Sequence, residues 1–141
     1  MPILVQSLAE WEAAGIENLL SVIIPAHNEE GQLEETVRAL VDALSSAEIS
    51  HEILVINDNS TDKTEDILAR LTEEISGLSY MNNDPPNGFG FAIRAGLSAF
   101  KGDCVALVMA DGSDDPNDLV AFFRKRQEGY DCVFGTRFSR Q

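Results

Sequence analysis

Short apolar runs alternate with stretches of helical periodicity along most of this chain, and that alternation limits the fold more than any other feature. Leu20-Ser21-Val22-Ile23-Ile24-Pro25 is a compact, β-branched run suited to a buried strand. It gives way to Leu33, Val37, Leu40, Val41 and Leu44, which recur at helical spacing. The cycle repeats with Glu52 to Asn57 as strand, the polar cluster Asp58-Asn59-Ser60-Thr61-Asp62, and a helix carrying Ile67, Leu68, Leu71 and Ile75. A weaker strand spans Leu78 to Asn82. Asn83-Asp84-Pro85-Pro86-Asn87-Gly88 then breaks the pattern, because prolines and glycine forbid both ladder and helix.

A helix resumes near Gly90, and its small inner residues Ala92, Ala95, Gly96 and Ala99 let it lie close to a sheet. Cys104 to Met109 reads as a continuous apolar strand. Pro116 suits the first turn of a helix carrying Leu119, Val120, Phe122 and Phe123, and Asp131 to Gly135 reads as a last strand. Such alternation with short connections predicts an α/β fold, a mainly parallel sheet with helices on both faces. Right-handed crossovers then bring every strand-to-helix loop to one edge of the sheet. Ser7-Leu8-Ala9-Glu10 has the capping-box pattern, so residues 1–19 read as an N-terminal helical extension through about Ile16. Residues 20–141 read as one domain, since 141 residues of 44% hydrophobic content suit a single core.

Ten basic residues against 24 acidic ones give a net charge of −14, which repels a phosphate backbone and argues against nucleic acid as a partner. A phosphorylated small molecule is compatible with this charge if a divalent cation sits between carboxylates and phosphates. Cys104 and Cys132 each open an apolar run and read as buried, reduced strand cysteines, which suits a cytoplasmic protein. No stretch approaches the roughly 20 apolar residues of a membrane span.

Ligands of open α/β sheets bind outside the carboxyl ends of the strands. The loops meeting that rule are Pro25-Ala26-His27-Asn28-Glu29-Glu30, Asn57 to Asp62, and Asp111-Gly112-Ser113-Asp114-Asp115. Their carboxylates converge on one cleft, where oxygen ligands suit Mg²⁺ or Mn²⁺. Each acid has a plainer use: Ser60, Asp62, Asp114 or Asp115 can cap a helix. His27 and His51 stand at opposite ends of strands and suggest no metal triad. Gly88-Phe89-Gly90 lacks the spacing of a P-loop or a dinucleotide fingerprint and reads equally as a turn.

Taken together, SVIIPAHNEE, EILVINDNSTDKT, NGFGFAIRAGL, VMADGSDDP and CVFGTRF occur in an order and spacing that closely resembles family 2 glycosyltransferases, particularly the dolichol- and polyprenyl-phosphate sugar transferases. The resemblance covers residues 20 to 138. It implies a GT-A fold whose first half is a Rossmann-like unit that accepts a nucleotide-diphospho-sugar donor and a divalent metal. By position, Pro25, Ala26, Asn28 and Glu29 would line the nucleoside pocket and Asp58 would hydrogen-bond the base. Asp111 matches the second acid of the family's Asp-x-Asp metal motif and Asp114 would assist it. Arg94 matches a basic residue near the diphosphate, and Arg137 lies in the Gly-x-Arg-Phe signature.

Met109 stands where the metal motif usually has its first Asp, His27 replaces a frequent Tyr, Asn57 a frequent Asp, and Phe89 a frequent Lys. Relatives also continue into a half that holds the acceptor, so the chain is expected to be C-terminally incomplete. The resemblance implies inverting transfer to an acceptor such as a polyprenyl phosphate, at the cytoplasmic face of the membrane. A non-catalytic nucleotide-sugar-binding module is the alternative. A phosphoacceptor receiver domain fits less well, because Asp58 follows the second strand rather than the first. A homo-oligomer is expected if the sheet exposes an edge or an apolar face.

Overall fold

The computed structural model describes residues 18–136. Among them are four strands, β1 (Leu20–Ala26), β2 (His51–Asn57), β3 (Leu78–Asn82) and β4 (Cys104–Leu107), and four helices, α1 (Leu33–Ser46), α2 (Thr64–Glu74), α3 (Phe89–Ala99) and α4 (Pro116–Gln127). The strands form one sheet in the order β3-β2-β1-β4, with every neighbouring pair parallel.

This order explains the placement of the helices. From β1 through β2 to β3 the chain steps one way across the sheet, so right-handed crossovers put α1 and α2 on the same face. The return from β3 to β4 runs the other way and puts α3 on the opposite face. Burial follows this division. Val22, Ile24, Ile53 and Val55 pack with Leu33, Val37, Leu40, Leu68 and Leu71, joined by Leu119 and Phe123 of α4. Ile23, Leu54 and Ile56 point the other way and meet Ala92 of α3. Among the described residues, one face therefore carries three helices and the other a single helix.

The small residues expected on α3 serve this contact: a Cβ on Gly96 would come within 2.6 Å of Ile23 Cγ2. Ala99 departs from the expectation and is exposed. The alternation of β1 and β2 is not apolar against polar but apolar on both sides, as a sheet covered on both faces requires.

Four expectations need correction or fall outside the described residues. The predicted helix through Ile16 lies outside the described residues. The strand read as Cys104 to Met109 ends at Leu107. Val108 N still donates to Ile23 O at 3.0 Å, but Met109 N turns to Asp114 Oδ2 and leaves the ladder. The predicted strand at Asp131 to Gly135 does not form. Gly135 of that segment comes close to α4, so near the Phe122 ring that a Cβ would sit 2.6 Å from Cζ, while Phe134 stays 87% exposed. Cys132 is consequently exposed, while Cys104 is buried as expected. Without a further strand, β4 is an edge among the described residues. Val105 and Leu107, on the side away from Cys104 and Ala106, stay exposed. This is the open edge on which the expected homo-oligomer rested.

Candidate functional site

The strand order reverses between β1 and β4, and the loops that follow these strands and β2 lie along the shared carboxyl edge, where ligands of such sheets bind. The β1 and β2 loops are laced together. Asn28 adopts a left-handed conformation with φ +52°, tolerable for Asn because its short side chain finds local partners. Its Oδ1 accepts from Thr61 N at 2.7 Å and Asp62 N at 3.3 Å, and its own N–H donates to Ser60 Oγ at 3.0 Å. Glu29 N donates to the buried Thr64 Oγ1 at 2.9 Å, and Thr64 Oγ1 donates in turn to Asp62 Oδ1 at 2.5 Å. His27 Nδ1 lies 2.7 Å from Asp58 O, which fits a backbone-satisfied histidine rather than a metal ligand. The polar cluster Asp58 to Asp62 thus fixes the neighbouring loop, and Asp62 Oδ1 also accepts from Thr64 N at 2.9 Å at the start of α2.

Pro25 and Ala26 are buried at the end of β1, so their contribution to a cleft is backbone and shape. Ala26 O accepts from Asp58 N at 2.8 Å, which extends the β1–β2 pairing into the loops. Asp58 is itself 6% exposed. Burial pushes its carboxyl up, but hydrogen bonds from Asn83, Asn87 and the Gly88 amide outweigh this and hold it below the usual range, ionised at neutral pH. Its neighbour Asn57 donates to Asn82 Oδ1 at 2.8 Å, and Asn82 donates onward to Glu65 at 2.9 Å. Asn57 Oδ1 is buried with no hydrogen-bond partner among the described residues.

The acidic loop after β4 folds onto itself and onto α1. Asp111 Oδ1 accepts from Ser113 N at 3.0 Å, Asp114 Oδ2 accepts from Met109 N at 2.9 Å, and Asp115 caps α4 through Asn117 N at 2.9 Å. Thr36 Oγ1, buried on α1, donates to Ala110 O at 3.0 Å. Asp111 is close enough to Glu29 to raise its proton affinity. Burial is the larger cause of that rise, followed by the charges of Asp111 and Asp62, against a lowering by His27. Glu29 and Asp111, far apart in sequence, therefore share one electrostatic field across the β1/β4 edge. Arg94 is exposed on α3, on the sheet face opposite α1 and α4. Arg137 lies outside the described residues.

Sequence reasoning did not single out Thr36, Thr64, Asn83 or Asn87. Thr36 falls between Leu33 and Val37 on the inner face of α1, where a buried hydroxyl needs a partner. That need was the available signal. For Asn83 and Asn87 the loop composition marked a turn but not its acceptor.

Among the described residues, no three His, Cys, Asp or Glu side chains come together as a metal cage. Mg²⁺ and Mn²⁺ ask for less, since they commonly bind through one or two carboxylates and complete their shell with water and substrate phosphate oxygens. Asp111 fits that requirement, and the accumulated negative charge at Glu29 gives a cation a reason to settle there. A cavity of about 830 Å³ runs along β4 and α4 and reaches Ser113 and Asp114 at one end.

A parallel sheet whose order reverses between β1 and β4, with the loops of β1, β2 and β4 along one carboxyl edge, defines an open α/β unit, the architecture that the GT-A expectation called for. The chain belongs to glycosyl transferase family 2, whose model matches residues 21–141. It is 35% identical over 122 residues to an uncharacterised glycosyltransferase of Synechocystis, covering 86% of this chain and 38% of that protein. It is 32% identical over 133 residues to the undecaprenyl-phosphate 4-deoxy-4-formamido-L-arabinose transferase of Salmonella choleraesuis, covering 93% of this chain and 40% of the relative. Among solved structures, glucosyl-3-phosphoglycerate synthase of Mycobacterium tuberculosis superposes with a TM-score of 0.64 at 25% identity, over 92% of this chain and 47% of that one. A mannosyltransferase of Pyrobaculum calidifontis, solved with GDP-Man and Mn²⁺, has a TM-score of 0.59 at 24% identity over 65% of this chain and 27% of its own, and so shares the fold. The chain spans about 40% of the length of the curated relatives it matches. No helix among the described residues is long and apolar enough to cross a membrane.

Proposed function

We propose that this chain is the donor-binding unit of a family 2 glycosyltransferase that takes a nucleotide-diphospho-sugar with Mg²⁺ or Mn²⁺ and passes the sugar, with inversion, to a polyprenyl phosphate. The observation that carries the reading is the geometry of the carboxyl edge, where Asn28 bonds the β1 loop to the β2 loop and Thr36 bonds the acidic loop after β4 to α1, within a chain that matches the family from residue 21 onward. The β1 loop, stiffened by Asn28 and Thr64, would receive the nucleoside between Pro25, Ala26, Asn28 and Glu29. Asp111, assisted by Asp114, would hold the cation against the diphosphate, and Arg94 would lie toward the phosphates.

A bound cation would supply neutralisation of the charge that grows on the leaving diphosphate. The residues of this chain contribute rigidity: the Thr36 bond to Ala110 and the Asp114 bond to Met109 hold the acidic loop in one shape before any ligand arrives. A phosphate acceptor is already anionic and needs little help from a base. The name of the Salmonella choleraesuis relative supports a lipid phosphate as acceptor, and with it a peripheral place at the cytoplasmic membrane face. Self-association through the β4 edge belongs to the same proposal and is read by sedimentation.

Met109 favours a second reading, a module that binds nucleotide-sugar without transferring it, because the first acid of the usual metal motif is missing. Transfer of labelled sugar to polyprenyl phosphate separates the two. Product formed by this chain with Mn²⁺ supports the enzyme, and donor binding without product supports the module.

A further inference from the structure

The two faces of β4 are covered unequally. Cys104 and Ala106 turn toward the three-helix face, where Leu119 and Phe123 of α4 pack. Val105 and Leu107 turn the other way and stay exposed, because α3 rests mainly on β1 and β2. Leu97 of α3 lines the same cavity as these two side chains. Of the eight large apolar residues that stay exposed among the described residues, six lie on α3, on β4 or just after β4. Apolar surface gathered in this way marks a place of contact, whereas scattered single residues need no explanation.

The described chain starts beside this strip. Leu19 N donates to Asp103 Oδ2 at 2.9 Å and Asp103 N donates to Leu19 O at 2.9 Å, so the chain before Leu19 leaves from the amino end of β4. Gly102 keeps this crossing tight, since a Cβ there would come within 2.5 Å of Leu19 O. From that point α1, α2 and α4 close one face of the sheet, and the face of Val105 and Leu107 is the open one.

Residues 1–17 hold Ile3, Leu4, Val5, Leu8, Trp11 and Ile16, and their only charged side chains are Glu10, Glu12 and Glu17. Residues 88–102, which carry α3 and its turn into β4, hold Arg94 and Lys101 and no acid, in a chain of net charge −14. Polarity and sign therefore match. Length matches too: the helix expected to run through Ile16 measures about 14 Å over residues 8–16 at 1.5 Å per residue, and the four residues of β4 measure about 13 Å at 3.3 Å per residue.

We propose that residues 1–17, which lie outside the described residues, dock through Trp11 and its apolar neighbours on the strip formed by Leu97, Val105 and Leu107 and complete the single-helix face of the sheet. Running back from Leu19 along β4 puts Trp11 about 8 Å beyond Ile16, level with Val105 and Leu107. The occupant is this chain's own N-terminal segment, and the hydrogen-bonding edge of β4 is left as it is. The covered strand leads through Val108 and Met109 into the acidic loop, so the segment steadies β4 from the side that α4 does not reach. None of this depends on a nucleotide reaching the site.

Trp11 is the only tryptophan in the sequence, so its fluorescence reads the docking directly. In the native chain its emission is expected to be blue-shifted from that of the urea-unfolded chain, and quenching by acrylamide to be weaker by about threefold or more, because docking buries most of a large aromatic side chain. Leu107→Glu sets a charge beneath the indole, at a position already 53% exposed and therefore dispensable to the rest of the core. Circular dichroism is expected to stay that of wild type while emission and quenching of Trp11 move at least halfway to the unfolded values. Leu97→Glu, on the α3 wall of the strip, is expected to act in the same way and replaces the first variant should that one fail to fold.

Emission and quenching of the native wild-type chain equal to those of the unfolded chain overturn the proposal. Shielding of Trp11 that survives the substitution in a folded variant overturns it as well. Shielding that disappears on dilution, with sedimentation showing dimer giving way to monomer, assigns the strip to a second copy of the chain and likewise contradicts it.

Discussion

Thr36 Oγ1 donates a 3.0 Å hydrogen bond to Ala110 O, joining the inner face of α1 to the first residues of the acidic loop. The two are 74 positions apart in sequence. Thr36→Val keeps the shape of the side chain and leaves a buried carbonyl unpaired, which costs roughly 1–3 kcal/mol. Urea denaturation is expected to show a loss in that range with unchanged slope. If the loop also serves a diphosphate, Mn²⁺-dependent nucleotide affinity falls with it. A variant as stable as wild type would show that the bond contributes nothing net.

Gly96 packs on Ile23, where a Cβ would come within 2.6 Å of Cγ2 and 3.1 Å of Cδ1. Gly96→Ala removes the helix penalty of glycine, worth about 1 kcal/mol, yet overpacks a contact, at a cost of roughly 1–3 kcal/mol. Net destabilisation is expected. Ile23→Val trims part of the clash, so the double variant should lose less than the sum of the two single ones. Strict additivity in that thermodynamic cycle would contradict the close approach of α3 to β1.

Glu34, Arg38, Arg70 and Glu74 form an exposed network that ties α1 to α2, with Arg70 to Glu34 at 2.7 Å and Arg38 to Glu74 at 2.6 Å. The hydrogen bonds from Arg70 and then Arg38 hold the Glu34 carboxyl down at about 2. A depressed carboxylate contributes stability above its ordinary value of 4.5, and that contribution disappears as pH falls toward about 2. Glu34→Gln is thus expected to lower Tm slightly at neutral pH and to match wild type in strong acid. Added salt should shrink the difference, because exposed pairs are screened. A Tm difference that grows as pH falls would refute the sign.

Burial raises the Cys104 thiol, whereas Cys132 is exposed beside α4. A thiol reagent at neutral pH is expected to label Cys132 in the native protein and Cys104 only after denaturant is added. Mass mapping distinguishes the sites. Rapid native labelling of Cys104 would mean that β4 opens readily, against its pairing with β1.

The reach of the sequence differed from element to element. β1 and β2 were legible because an uninterrupted β-branched run leaves little choice but a buried strand, and α1 because Leu33, Val37, Leu40 and Leu44 keep the helical period. Asp131 to Gly135 misled, since an apolar run shows appetite for burial and does not supply a partner; among the described residues no strand receives it, and Phe134 stays 87% exposed. The three site loops could be placed at one edge from topology alone. What pairs with what inside them could not, because Asn28 with Thr61 and Asp58 with Gly88 are contacts set by the register of β1 against β2 and of β2 against β3.

Titration of UDP, GDP and CDP into the chain by calorimetry, with and without Mn²⁺, for wild type and Asp111→Asn, bears most directly on the donor site. Micromolar to millimolar binding of at least one nucleotide is expected, with dependence on Mn²⁺ that Asp111→Asn removes while its thermal melt stays that of wild type. Binding that ignores both the cation and the substitution, or the absence of binding by the folded wild-type chain, would contradict it.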